Sequence, residues 1–373
     1  MEIGQPHPGM PFKPAASDRS LRLKSIANTD AANILAHRSD IARSMVSAFG
    51  AREMDMGRPY ELNMLKFEDL AQYDVSYLSY ALSTGEPKLY MGYVQWLHSM
   101  LAGHGLPGEY IVPMSLANLS RAVKEVVPLV DPGAVDALID MAKTAPSGEA
   151  AHPKTFLVPD NPCAELAADY LDRIVKSDRH AALNLIRGAV EKGVPVKDIY
   201  LNIFEPVQRE VGRLWQMQRI SVAHEHFASS TAQMAMSLLY ENIFSLDNRK
   251  TGRSMVAACV GEELHEIGLR MVADLFEMSG WDTVFLGANA PAHAIAAMIR
   301  ETKADLLALS CSMIVHVEHI RATIAYLRKE GFEDLQVLVG GFPFNLSPKL
   351  SALVGAGGYA PDADSAVKLM SNC

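Results

Sequence analysis

Several features that mark large protein classes are scarce or missing in this chain. It has only four cysteines in 373 residues, Cys163, Cys259, Cys311 and Cys373, and no two are spaced as CxxC or as a zinc pair. A disulfide scaffold and a thiolate zinc site are not expected, and a reducing cytoplasm fits. A bilayer-crossing helix needs about 20 apolar residues in a row. The best run, residues 306–315, is shorter and is interrupted by Ser310 and Ser312. No apolar stretch follows Glu2 and the early prolines, so no signal peptide and no membrane association are read. Basic charge is also short: 34 Lys and Arg face 43 Asp and Glu, a net charge of −9. Nucleic-acid binders usually show a basic footprint, so no direct nucleic-acid contact is expected.

What is present is ordinary globular material, 49% hydrophobic and 21% charged, in a length that fits two or three domains. Residues 1–18 are rich in Pro and Gly and read as a flexible tail. Residues 19–145 form a helical N-terminal domain. Its segment 67–83 carries Leu70, Tyr73, Tyr77 and Tyr80 at helical spacing. Gly85-Glu86-Pro87 breaks that helix, and Pro87 opens the next, with Leu89, Tyr93, Trp96, Leu97 and Met100. A third helix is expected from about 115 to 127, capped near Ser115. Residues 146–162 read as a linker, and 163–247 as a four-helix bundle.

From residue 252 to 373 the period changes. Short apolar runs at 254–260, 282–286, 306–312, 336–339 and 358–360 alternate with helical stretches. That alternation predicts a doubly wound parallel sheet, Rossmann-like or flavodoxin-like, which binds ligands beyond the carboxyl ends of its strands. At the first such end stands Gly261-Glu262-Glu263-Leu264-His265-Glu266-Ile267-Gly268. Imidazole is a common metal ligand, and a carboxylate two residues earlier can hold its other ring nitrogen. Ser310-Cys311-Ser312 ends the third strand and Gly340-Gly341 the fourth, so all three segments converge on one edge.

Glu263-x-His265-x-x-Gly268, Ser310-x-Ser312 and Gly340-Gly341 together resemble the cobalamin-binding signature of methionine-synthase-like domains. The gaps of 41 residues (269–309) and 27 residues (313–339) match that family's spacing. Glu263 stands where the family usually has Asp, and Ser312 where it usually has Leu or Thr. The resemblance implies His265 as the lower axial ligand of cobalt, displacing the cofactor's dimethylbenzimidazole, with Glu263 as its partner. It implies Ser310 facing the buried base, and Gly340 and Gly341 clearing space for the nucleotide tail.

Before the sheet, Trp215, nine residues (216–224) and Glu225-His226 resemble the W-x9-EH cap of light-sensing cobalamin repressors of the CarH type. That likeness implies that Trp215, Glu225 and His226 surround the adenosyl group of adenosylcobalamin. The capturing His of those photoreceptors is Gln216 here, so a bis-histidine photoproduct through that position is excluded. The N-terminal domain shows no basic recognition helix. It resembles a degenerate globin-like or phycobiliprotein-like domain, and the whole chain is similar to photocobilins, which pair cobalamin with biliverdin. Tyr73, Tyr77, Tyr80, Tyr93 and Trp96 would line a bilin cleft, with His98 and His104 reaching its polar groups; a plain helical dimerisation or signalling domain is the equal alternative. No cysteine lies in residues 1–162, so a bilin there would be non-covalent or tied to Cys163.

These likenesses imply a light-sensing cobalamin protein, not an enzyme by itself. Co–C photolysis would change its conformation or its light-dependent homo-oligomeric assembly, with a regulatory protein as a further partner. Two rivals stay open: a corrinoid methyl-transfer protein that is one component of an enzyme, and a cobalamin-dependent antirepressor that binds a transcription factor.

Overall fold

In the computed structural model, residues 29–48, 67–244 and 250–371 are described. The expected tail at 1–18 lies outside them. After a helical stretch at 29–36, the N-terminal block consists of α1 (Arg38–Ser47), α2 (Phe67–Thr84), α3 (Pro87–Gly103), α4 (Gly108–Val126) and α5 (Pro132–Ala142). Local chemistry sets these limits. Gly85, at φ +64°, stops α2, and Pro87 opens α3 where its missing N–H costs no hydrogen bond. The Asp131 carboxylate caps α5 by accepting from the Ala134 N–H, and Pro132 follows it. α4 starts seven residues before the expected Ser115, with Pro113 inside it. Pro113, the sixth residue, leaves the Glu109 carbonyl without its intrahelical N–H, yet the helix runs on past it to Val126.

The helical bundle holds α6 (Ala164–Val175), α7 (Arg179–Glu191), α8 (Glu205–Gln216) and α9 (Val222–Leu238). A π turn, Tyr200–Phe204, leads into α8. Its core is aromatic: Phe204 lies 5.6 Å, ring centre to ring centre, from both Tyr170 and Tyr200.

The sheet is parallel in the order β2-β1-β3-β4-β5, the flavodoxin-like order. Its strands are β1 (Ser254–Val260), β2 (Asp282–Ala290), β3 (Leu306–Ser310), β4 (Gln336–Gly340) and β5 (Gly358–Tyr359), with α10 (Ile267–Met278), α11 (Ala292–Thr302), α12 (Val317–Lys329) and α13 (Ala363–Ser371) as the main helices. β2 runs past the expected end at 286: two shifts of register, between Ala257 and Ala258 and between Ala258 and Val260, carry it through Gly287 and Asn289, both at positive φ, to Ala290. β3 stops at Ser310, two residues before the expected Ser312. Cys259, Ser310 and Gly340 lie side by side across the central strands. The loops after β1, β3 and β4 therefore leave the sheet at one level, and that level is the candidate site.

Both helical parts reach the sheet module. The bundle is tied to α10 by Asp274, whose carboxylate accepts from the Tyr200 hydroxyl at 2.8 Å and the Tyr240 hydroxyl at 2.7 Å. The N-terminal block packs on the segments that follow β3 and β4, in one continuous apolar core with Ile314, Val317 and Phe344. There the buried Ser347 hydroxyl donates to Glu86, and Lys349 donates to the Thr84 carbonyl at 3.2 Å. The tyrosines expected to line a bilin cleft fill this core instead. Tyr77 and Tyr93 stack at 4.5 Å, Tyr93 and Trp96 at 6.0 Å, and Tyr77, Tyr80 and Tyr93 are buried.

Candidate functional site

Glu263 is the centre of the site. It follows β1 by way of Gly261, and its side chain is fully buried. One carboxylate oxygen accepts the His265 backbone N–H at 2.9 Å and lies 2.5 Å from His265 Nδ1. The other accepts the Ser312 N–H at 2.6 Å and the Met313 N–H at 3.3 Å, and lies 3.0 Å from His316 Nδ1. Burial pushes this carboxyl up, but the hydrogen bonds from His265 and His316 and the neighbouring His265 charge outweigh it, and the group is held far below the usual carboxylate range. Glu263 is therefore a carboxylate, which can only accept. Each imidazole must donate to it from Nδ1.

That assignment fixes what His265 presents. With Nδ1–H committed, Nε2 is the nitrogen left facing outward, on a side chain that is 63% exposed. The Glu263 hydrogen bond raises this imidazole above its ordinary value against the effect of burial; the charges of Glu263 and Glu225 add to the rise. A carboxylate behind the ring makes the free nitrogen a better ligand. Among the described residues no three His, Cys, Asp or Glu gather into a metal site. A metal on His265 would have to bring its other ligands with it, as cobalt in a corrin ring does.

The glycines confirm a crowded edge. Gly341 sits at φ +102°, ψ 175°, a conformation essentially reserved for glycine, and a Cβ there would lie 2.0 Å from the Cys311 carbonyl oxygen. A Cβ on Gly340 would come 3.2 Å from the Ala360 carbonyl. Gly268, by contrast, opens onto free space at the start of α10. Ser310 ends β3 between Cys259 and Gly340. Ser312 takes part through its backbone N–H. Burial pushes the Cys259 and Cys311 thiols up, so both are inert apolar filling.

The bundle contributes from the other side. Glu225 opens α9, pairs with His226 Nδ1 at 2.8 Å and accepts from the Ser229 hydroxyl at 2.7 Å. It is near enough for its charge to raise His265. Gln233 of α9 donates to Glu266 at 2.8 Å, linking the bundle to the His265 loop. Trp215 is partly buried at the end of α8 against the bundle core. Gln216 is buried and aims at the Trp96 carbonyl, 3.5 Å away, so this position serves the contact with the N-terminal block.

Sequence reasoning did not find His316, which shares Glu263 with His265. The two lie 51 residues apart, and only the pairing of β1 with β3 brings them together. It also did not find Gln233 or Glu266. The one available signal was His316-x-x-His319 just beyond Ser312, which places two imidazoles on neighbouring turns.

A helical bundle beside a flavodoxin-like sheet, with one free imidazole on the carboxyl edge, is the design of a cobalamin-binding module. Residues 253–368 match a family described as B12 binding domain, and residues 166–240 match a second family of the same description. The chain is 24% identical over 203 residues to dimethylamine corrinoid protein 3 of Methanosarcina acetivorans, covering 54% of this chain and 93% of that protein. It is 23% identical over 199 residues to a corrinoid protein of Desulfitobacterium hafniense, covering 52% and 91%. Its fold is similar to that of the monomethylamine corrinoid protein of Methanosarcina barkeri, with a TM-score of 0.51 and 22% identity over 56% of this chain and 99% of that one. This part of the chain binds cobalamin. No helix of the described residues is long and apolar enough to cross a membrane.

Proposed function

We propose that the chain is a corrinoid protein of the methyl-transfer kind, working with a protein partner. The similarity to dimethylamine corrinoid proteins supports this over light sensing, and the observation that carries the site is the His265–Glu263 pair with its free Nε2. When bound, cobalamin would supply a cobalt that accepts and releases a methyl group. In this reading His265 would hold the cobalt through Nε2. Glu263 fixes the ring and keeps the proton on Nδ1. Gly340 and Gly341 let the backbone after β4 pass close against Cys311 and Ala360, and Ser310 would face the base. Trp215, Glu225 and His226 of the bundle would meet the bound group from the side opposite His265.

The second reading is light sensing with adenosylcobalamin, and one feature favours it: the W-x9-EH set, with Glu225 near His265. An aromatic face and a carboxylate suit adenine and ribose better than they suit a methyl group. A biliverdin in the N-terminal block belongs to this reading only, and the stacked, buried tyrosines leave it without support.

One experiment separates the two. The full-length protein is titrated in darkness with methylcobalamin and adenosylcobalamin, then each complex is run on size-exclusion chromatography before and after green light. Methyl transfer predicts comparable affinity for both and the same elution in light and dark. Clear preference for adenosylcobalamin, with a light-dependent shift in its elution, would establish light sensing in its place.

A further inference from the structure

The N-terminal block is joined to the two halves of the cobalamin module in different ways. With the sheet module it shares one apolar core, which holds Tyr77, Tyr93 and Leu116 together with Ile314, Val317 and Phe344. The core of the bundle takes in Met271 and Leu275 of α10 but, among the described residues, nothing from the block. Block and bundle meet instead along backbone and amide groups at the end of α8. Gly103 is pressed on the backbone there: a Cβ on it would come 2.8 Å from the Gln216 carbonyl oxygen and 3.0 Å from Met217 Cα. Beside it, His104 Nδ1 lies 2.8 Å from the Met100 carbonyl, which can only accept, so Nδ1 donates and Nε2 is left to accept from the Gln218 amide at 2.9 Å. Gln218 sits in the left-handed region, at φ +55°. Its N–H donates to the Trp215 carbonyl at 2.9 Å, and the Arg219 N–H to the Leu214 carbonyl at 2.8 Å, a helix ending in which Gln218's place is usually taken by glycine. A glutamine is held there against its backbone preference, and its side chain is the part that reaches the block.

We propose that Gly103 and His104 of the N-terminal block are positioning residues for Trp215: by holding the turn Gln216-Met217-Gln218 that ends α8, they fix where Trp215 stands beside the bound cofactor and how readily the cobalt face opposite His265 is reached. This rests on the reading of Trp215 as part of the wall opposite His265. Trp215 directly precedes the held turn and is only partly buried against the bundle core, so the bundle alone does not encase it. The block is fixed to the sheet module by a continuous apolar core, and through it the end of α8 is held at a set place relative to the sheet that carries His265. The contact with the bundle rests on hydrogen bonds and one close backbone approach, so it is the joint that parts most easily. The block lies outside both B12-binding matches, so this contact is not part of what those families define.

The test uses full-length protein loaded with hydroxocobalamin and mixed with azide, which replaces the exchangeable cobalt ligand and changes the absorption spectrum. The rate of that change reads access to the face opposite His265. Gln218→Gly relieves the left-handed backbone and removes the side chain that reaches His104. Gly103→Ala suits the end of α3 and wedges the contact with α8. Each should speed azide entry by about 2- to 10-fold, the shift that one hydrogen bond gives to an equilibrium between closed and open arrangements. Gln218→Gly should do so with the melting midpoint and the hydroxocobalamin affinity of wild type, which a merely structural role would not allow. Trp215→Ala should speed azide entry at least as much. If Gly103→Ala does not fold, as judged by its melting curve, Gln218→Gly decides. A wild-type rate in either folded variant, beside a faster Trp215→Ala, would overturn the proposal alone, as would a faster Gln218→Gly that also melts earlier or binds hydroxocobalamin more weakly. A wild-type rate in Trp215→Ala would overturn the placement of Trp215 beside the cofactor and the proposal with it.

Discussion

At the scale of single residues, the site depends on a few positions where the backbone or a carboxylate leaves no choice. Glu263 is buried and charged, and it is tolerated because both oxygens are filled with donors. Gly341 is constrained by geometry. A side chain there meets both an unfavourable φ and the Cys311 carbonyl at 2.0 Å. The strain alone costs about 1–3 kcal/mol. Gly341→Ala should therefore lower the urea midpoint by at least that equivalent and weaken cobalamin binding; a wild-type midpoint would show that the loop gives way freely. The sequence announced Glu263 and His265 because they stand two residues apart at the end of one strand, and Gly341 because a glycine pair ends another at the family's long spacing. It did not announce His316, since no short-range pattern ties it to a carboxylate 53 positions earlier.

Among the elements, α2 shows how a helix can bury a charge-bearing group. Asp74 is 2% exposed and accepts from the Tyr90 hydroxyl at 3.3 Å and the Ser115 hydroxyl at 3.1 Å. Burial raises its carboxyl to about 7, against an ordinary 3.8. The folded state thus keeps its proton where the unfolded chain has released it. Stability contributed by the neutral acid is complete below pH 3.8, falls as pH rises towards 7, and is flat above that, by up to about 4 kcal/mol in total. Asp74→Asn should flatten the dependence of the melting midpoint between pH 4 and 7, most visibly by raising it at pH 7. An unchanged pH profile would place the buried proton elsewhere. The alternation of apolar runs and helical stretches made a parallel sheet readable in advance, but not the order of its strands. The early start of α4 and the length of β2 were not readable. Pro107, Gly108, Pro113, Gly287 and Asn289 look like stop signals until a helix N-terminus or a bulge gives them a place.

Across the whole molecule, the N-terminal block touches both parts of the cobalamin module. It meets the bundle where Gly103 lies against the Gln216 carbonyl, and where Gln218 Nε2 is 2.9 Å from His104 Nε2. It meets the sheet module through Glu86, which accepts from Ser347 and pairs with Lys349 at 3.4 Å. Ser347 is fully buried, so removing its acceptor leaves a hydroxyl unpaired, at a cost of about 1–3 kcal/mol. Glu86→Ala should lower the midpoint of urea unfolding accordingly, and no change would mean that this contact is made equally well by water.

If His265 is the cobalt ligand, its removal must show directly in the bound cofactor. The direct measurement is co-elution of methylcobalamin with full-length protein on gel filtration, read with the absorption spectrum of the bound fraction, in wild type and His265→Ala. Wild type should carry stoichiometric cobalamin with the spectrum of an imidazole-ligated form. His265→Ala should either retain no cobalamin or show a spectrum in which that ligand is gone. A variant that binds as tightly and absorbs identically would remove His265 from the site.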